Sequence, residues 1–144
     1  MLRRATVEDA PSIADIFGRS FGTLRFLPTL HTPEEDRAHF TRLVAEHEVW
    51  VAERYGRIVG FAVIQGDELT HLYVEPEEHG RRVGTALLDL VKQERPEGFR
   101  LWVFQKNLRA RQFYERRDCR LLELTDGRGN EEQEPDALYE WRPG

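Results

Sequence analysis

The chain has 144 residues, 40% of them hydrophobic and 33% charged, with a formal net charge of −5. One domain spanning residues 1–144 is expected, with a core that needs neither disulfide nor metal. The acidic balance argues against general nucleic-acid binding, which wants a basic footprint. The single cysteine, Cys119, excludes an internal disulfide and a cysteine-based zinc site. No apolar run approaches the roughly 20 residues that span a bilayer. No signal-peptide pattern opens the sequence, so a cytoplasmic protein with no membrane partner is expected.

Leu2 to Ala5 reads as a short strand. Thr6 then looks like an N-cap, followed by Glu8 and Asp9 in a first turn. Ala10, Ile13, Ala14 and Phe17 make the apolar stripe of a helix running to about Ser20. Phe21 to His31 is a loop, unusually apolar for a connection. Thr32-Pro33-Glu34-Glu35 is a strong helix start, with a capping Thr, Pro at the first helical position and Glu three residues after the cap. That helix ends near His47. Val49 to Glu53 and Ile58 to Ile64 form a hairpin about Tyr55-Gly56-Arg57. Gly66-Asp67 turns into a third strand, Leu69 to Val74, which Pro76 stops. A Gly-containing loop follows and opens a helix with Val83, Leu87, Leu90 and Val91 on one face. Pro96-Glu97-Gly98 stops it. Arg100 to Phe104 is a strand, Asn107 caps a helix from Leu108 to about Arg117, and Cys119 to Thr125 is a strand. Turn residues Asp126 to Asn130 follow, and Asp136 to Arg142 closes the sheet. The acidic run Glu131, Glu132, Glu134 reads as a solvated loop. Trp50, Trp102 and Trp141 read as core. The fold class is α/β, in the mixed α+β sense of one sheet flanked by helices.

A strand that ends at a glycine loop and a helix start presents unpaired N–H groups, a ready anion site. A P-loop would need Gly-Lys-Ser/Thr, and a dinucleotide loop a third glycine; both are absent. Val74-Glu75-Pro76 followed by His79-Gly80-Arg81-Arg82-Val83-Gly84 resembles instead the coenzyme motif of the GNAT superfamily of acyl-CoA-dependent N-acyltransferases. Two positions depart: His79 stands where Gln or Arg is usual, and Arg82 where Gly is usual. A second segment, Leu101 to Cys119, resembles the family's other strand-helix unit through Asn107, Ala110, Phe113, Tyr114 and Glu115. Its usual closing Gly-Phe is replaced by Asp118-Cys119. Asp tolerates the left-handed conformation that a helix end often needs. The element order is also similar to that family's from end to end.

The resemblance implies a GNAT-like fold in which two central parallel strands, Leu69 to Val74 and Arg100 to Phe104, splay apart around acetyl-CoA as co-substrate, with no metal. Leu72, Tyr73 and Val74 are then expected to bind the pantetheine arm, the Val74 N–H to polarise the thioester carbonyl, and His79, Gly80, Arg81, Arg82, Val83, Gly84 and Thr85 to hold the pyrophosphate. Asn107 is expected to contact the arm, beside its plainer reading as an N-cap. Tyr114 is the expected acid for the leaving thiolate, against the plainer reading of a packed ring. The attacking amine must lose a proton, directly or through water. Glu68 is the first candidate base, taken as near the acceptor site, and His71 the second. Phe21, Phe26 and Leu27 are candidate acceptor-pocket residues. The expected acceptor is a small-molecule amine or a protein N-terminal or lysine amine. A homodimer is a family-level expectation. The alternative reading is a non-catalytic acyl-CoA-binding or sensing module of the same fold.

Overall fold

Alternation of apolar and polar residues builds one seven-stranded sheet, and two helical stripes cover each of its faces. The structure, a computed structural model, describes residues 1–144. Its strands are β1 (Leu2–Arg4), β2 (Glu48–Arg54), β3 (Arg57–Gln65), β4 (Glu68–Val74), β5 (Phe99–Phe104), β6 (Arg120–Leu124) and β7 (Asp136–Trp141). Its helices are α1 (Ala10–Phe21), α2 (Pro33–Glu46), α3 (Val83–Glu94) and α4 (Leu108–Glu115). The spatial order is β1-β2-β3-β4-β5-β7-β6. β7 thus inserts between β5 and β6, antiparallel to both. The strand expected to close the sheet lies inside it, and β6 is the edge.

On one face Ile13 and Ile16 of α1 and Phe40 and Leu43 of α2 pack on Val49, Val51, Phe61 and Val63. On the other, Val83, Leu87, Leu88 and Val91 of α3 pack on Val59, Ala62, Leu101 and Tyr139. The capping box of α2 forms as the sequence implies: the Glu35 N–H donates to Thr32 Oγ1 at 3.1 Å and the Thr32 N–H to Glu35 Oε1 at 2.8 Å. The start of α1 differs. Val7–Asp9 is a 3₁₀ turn, and the α-helix begins only at Ala10. Asp9 is drawn out of a helical role because its carboxylate holds Arg3 at 2.8 and 3.0 Å and the Thr6 N–H at 2.8 Å. Trp102 also departs from expectation, being 43% exposed. Its neighbours Leu101 and Val103 face the α3 core, so Trp102 faces the opposite side, where α1 packs mainly on β3 and β4 and α2 on β2. Asp118 takes φ 71° at the end of α4, the left-handed cap expected of it. No helix is long and apolar enough to cross a membrane.

Candidate functional site

β4 and β5 are parallel neighbours, yet their register holds only where Glu68 lies opposite Arg100. There the Arg100 N–H donates to the Asp67 carbonyl at 2.9 Å. Val63 lies opposite His71 and Ile64 opposite Leu69, so Thr70 is an extra residue in β4, a β-bulge. A bulge bends its strand, and this one sits where β4 begins to leave β5. Thr70 Oγ1 pins it, donating to the Val63 carbonyl at 3.3 Å and accepting from Gln65 Nε2 at 3.1 Å. Past the bulge the Glu75 N–H donates to the Val59 carbonyl at 2.8 Å. Strand alternation then turns the N–H groups of His71 and Tyr73 toward β3, and those of Leu72 and Val74 into the gap. Unpaired backbone donors of this kind need a partner from outside the sheet.

The open end of the gap leads into the glycine loop. Gly80 takes φ 84° and Arg82 φ 64°, and Arg82 is the N-cap of α3 with no side chain capping it. The first bond inside α3 runs from the Ala86 N–H to the Arg82 carbonyl at 3.0 Å. The N–H groups of Val83, Gly84 and Thr85 precede it, without partners inside the helix. A Cβ on Gly84 would stand 3.3 Å from the Phe113 ring and 3.6 Å from Val74 Cγ2. Glycine therefore lets the helix tip sit against both β4 and α4. Arg81 and Arg82 are exposed beside it, and the dipole and these two charges favour an anion. The Thr85 hydroxyl is already engaged, accepting from Arg117 Nη2 at 2.8 Å. His79 opens the loop; its pKa is lowered, first by desolvation and then by Arg109.

The end of β4 is tied to α1. Glu75 is 5% exposed, and its carboxylate accepts from Arg19 Nε at 2.6 Å and Nη2 at 2.7 Å. Ser20 Oγ donates to the Val74 carbonyl at 3.1 Å. No local pattern in the sequence marks these residues, because their contact spans more than fifty positions.

Asn107 caps α4, its Oδ1 accepting from the Ala110 N–H at 3.2 Å; its amide nitrogen makes no bond within the protein. Tyr114 is buried among α3, α4 and Cys119, and the Cys119 N–H donates to its carbonyl at 3.0 Å. Its hydroxyl has no protein partner. Burial first, then Cys119 and Tyr73, raise its pKa above the usual tyrosine range, so it holds its proton at neutral pH. Tyr73, packed against Phe17 and Phe61 on the α1 side, is raised to about 12, chiefly by burial and secondly by Glu132.

On the α1–α2 side a cavity of about 1150 Å³ lies between the α1–α2 loop, β4, β5 and the β6–β7 loop. Phe21 and Leu27 line it. Phe26 does not; it packs edge-on against Phe104 at 6.1 Å, behind the wall. The expectation for Glu68 is corrected. It starts β4 at the closed end of the gap and lines a separate hollow with Arg100 and Glu140, because the strands part only after it. His71 does line the cavity. Its Nδ1 meets Thr70 Oγ1 at 3.0 Å, and Nε2 has no protein partner. Burial among Phe17, Phe40 and Tyr73 pushes the imidazole down to about 4, helped by His39.

The acidic run is not simply solvated. Glu131 Oε1 pairs with His31 Nε2 at 2.6 Å, joining the two loops across the cavity. Glu132 lines the cavity, and the Glu134 side chain is 12% exposed, 3.5 Å from Lys106. His39 and Asp36, on one turn of α2, also line it. The sequence carried their spacing but not the fold of the far loop that faces them.

A family model described as an acetyltransferase (GNAT) domain matches residues 45–118, just over half of the chain. A curated relative, the peptidyl-lysine N-acetyltransferase YiaC of Escherichia coli, is 30% identical over 99 residues, 68% of this chain and 66% of that relative. The solution structure of apo YjaB from Escherichia coli superposes with a TM-score of 0.81 at 22% identity, over 98% of this chain and 96% of that one. The PaiA N-acetyltransferase of Thermoplasma acidophilum, solved with coenzyme A, gives a TM-score of 0.77 at 18% identity, over 99% and 98%. The chain belongs to the GNAT acetyltransferase family.

Proposed function

We propose that residues 1–144 form one N-acetyltransferase domain that moves the acetyl group of acetyl-CoA to a primary amine by direct attack in a ternary complex. The observation that carries this is the gap between β4 and β5, with the Leu72 and Val74 N–H groups turned into it and the α3 tip at its open end. An extended amide chain fits such an edge as an added strand, and a diphosphate fits the helix tip. Acetyl-CoA supplies an already activated carbonyl, so no covalent enzyme intermediate is needed. The Val74 N–H is placed to donate to the thioester oxygen as charge grows there. Tyr114, kept protonated by burial, donates to the departing sulfur. Asn107 offers its amide nitrogen to the arm. His71, neutral at physiological pH, accepts a hydrogen bond from the amine and orients it, while the amine's proton leaves through water in the cavity. Holding both reactants together supplies much of the rate. The relative named as a peptidyl-lysine N-acetyltransferase supports an amine acceptor.

Two measurements test this. Calorimetry is expected to show acetyl-CoA binding, with Tyr114→Phe leaving the affinity within about twofold. Thiol release with an amine library is expected to fall at least about a hundredfold in kcat for that variant, the usual size of a lost acid. Absence of coenzyme binding refutes the reading. Binding without turnover on any amine favours the non-catalytic module, and undiminished turnover in Tyr114→Phe removes that residue from the mechanism.

A further inference from the structure

The wall of the cavity holds more negative charge than the protein itself uses. Five carboxylates line it, and three are engaged. Glu35 closes the α2 capping box, Glu131 holds His31, and Asp136 accepts from Thr125 Oγ1 and from Asn130 Nδ2 at 3.2 Å. The other two, Asp36 and Glu132, are half-buried and make no side-chain hydrogen bond or ion pair. They come from opposite walls, Asp36 from the first turn of α2 and Glu132 from the β6–β7 loop. Partial burial raises the Asp36 pKa, and the charge of Glu132 adds to the larger effect of burial in raising that of Tyr73. A carboxylate taken partly out of water is costly unless a cation comes to it. Arg25 and Arg42 also line the cavity, but both are exposed and neither pairs with these acids.

The second observation is His71. Its Nε2 is unpartnered, its ring is half-buried, and it lies in the same cavity beside the gap. A neutral imidazole there suits a neutral, reactive amine. Free carboxylates suit the opposite, because they keep a nearby amine protonated and unreactive. The two kinds of group therefore serve different ends of one acceptor. Phe17, Tyr73 and Trp102 line the same cavity, apolar surface suited to a run of methylenes.

We infer that the acceptor is a short diamine or polyamine, its reacting nitrogen at His71 and its second, ammonium end held by Glu132 and Asp36. This rests on the acetyltransferase reading and narrows it to a substrate class. The same atoms balance as in any such transfer: the amine nitrogen bonds the acetyl carbon, the carbon–sulfur bond breaks, the sulfur gains a proton and the amine loses one.

The test compares 1,4-diaminobutane, n-butylamine, 4-aminobutanoate and a lysine-containing peptide on the full chain. Thiol release is followed with acetyl-CoA, and calorimetry measures each amine's binding in the presence of coenzyme A. The diamine is expected to exceed n-butylamine by about tenfold or more in kcat/KM, mostly through KM, as a charge-assisted contact implies. In Glu132→Gln and in Asp36→Asn that diamine-to-monoamine ratio falls toward one. Equal use of the two, preference for 4-aminobutanoate or the peptide, or a ratio unchanged in both variants overturns the inference and leaves acetyl transfer standing. If no amine is acetylated, acetyl transfer is what fails, and the calorimetric ratio decides the inference by itself.

Discussion

Gly60 lies in β3 opposite Val74, under the first turns of α3. A Cβ built there meets Val83 Cγ1 at 3.0 Å, Leu87 Cδ1 at 3.1 Å and the Tyr73 carbonyl oxygen at 3.2 Å. Two of these atoms are side-chain ends, but the third is backbone of the coenzyme strand and cannot step aside. Replacing Gly60 by Ala lowers unfolded-chain entropy, worth about 0.4 to 1 kcal/mol in favour of folding. Overpacking a filled core costs about 1 to 3 kcal/mol. With contacts on three sides the second effect wins, for a net loss of about 1 to 2 kcal/mol. In a chain of this size that lowers Tm by about 3 to 7 °C. Gly18, on α1, is the internal control: its Cβ meets nothing within 4 Å. Gly18→Ala is expected to raise Tm, since glycine inside a helix costs up to about 1 kcal/mol against alanine. Differential scanning calorimetry of the two variants decides. An unchanged or higher Tm for Gly60→Ala refutes the claim that this glycine sets how close α3 packs. If α3 does shift, KM for acetyl-CoA rises as well, because the helix tip moves off the end of β4.

The other predictions concern charge. Burial holds His71 at about 4 against 6.5 in the unfolded chain; between those values the unfolded state binds a proton that the folded state does not. Stability therefore falls on acidification, by about 2 kcal/mol between pH 7 and pH 5. Urea midpoints at the two pH values are expected to lie closer together in His71→Gln, and a parallel loss in the variant speaks against a buried neutral imidazole. At the Arg19–Glu75 pair the partners are unequal, the Arg19 side chain being 56% exposed and that of Glu75 7%. Arg19→Ala strands a buried carboxylate and is expected to cost about 3 kcal/mol or more. Glu75→Gln leaves an arginine that water can solvate and costs less, about 1 to 2 kcal/mol; the reverse order in denaturant titrations contradicts the burial argument.

Local patterns carried most of the fold. The α2 capping box, the Tyr55-Gly56 turn and the Pro76 stop act within a few residues, so the sequence displays them directly. The glycine loop that resembles the family's coenzyme motif is visible for the same reason, Val74 to Thr85 being contiguous. What failed depended on strand order. Glu68 was placed near the acceptor because it begins the central strand, but the bulge at Thr70 decides which end of that strand opens. Trp102 reads as core because nothing in its own segment shows that α1 and α2 pack mainly on β2 to β4. The run Glu131 to Glu134 looked like solvent-facing acid until β7 folded back beside β5 and carried its loop over the cavity. His71 was legible as a candidate, yet its rank followed from that fold and not from its neighbours in sequence.

The position of β7 also bears on biosynthesis. β6 has no sheet neighbour other than β7, and β7 follows it along the chain after a loop of turns and acids, residues 125–135. Once β6 has emerged from the ribosome, its exposed Leu121, Leu122 and Leu124 have nothing to pair with until β7 follows. The left half of the sheet, β1 to β4, has every partner it needs by then. The nascent protein is therefore most vulnerable to clumping in the interval after β6 and before Asp136–Trp141 emerges.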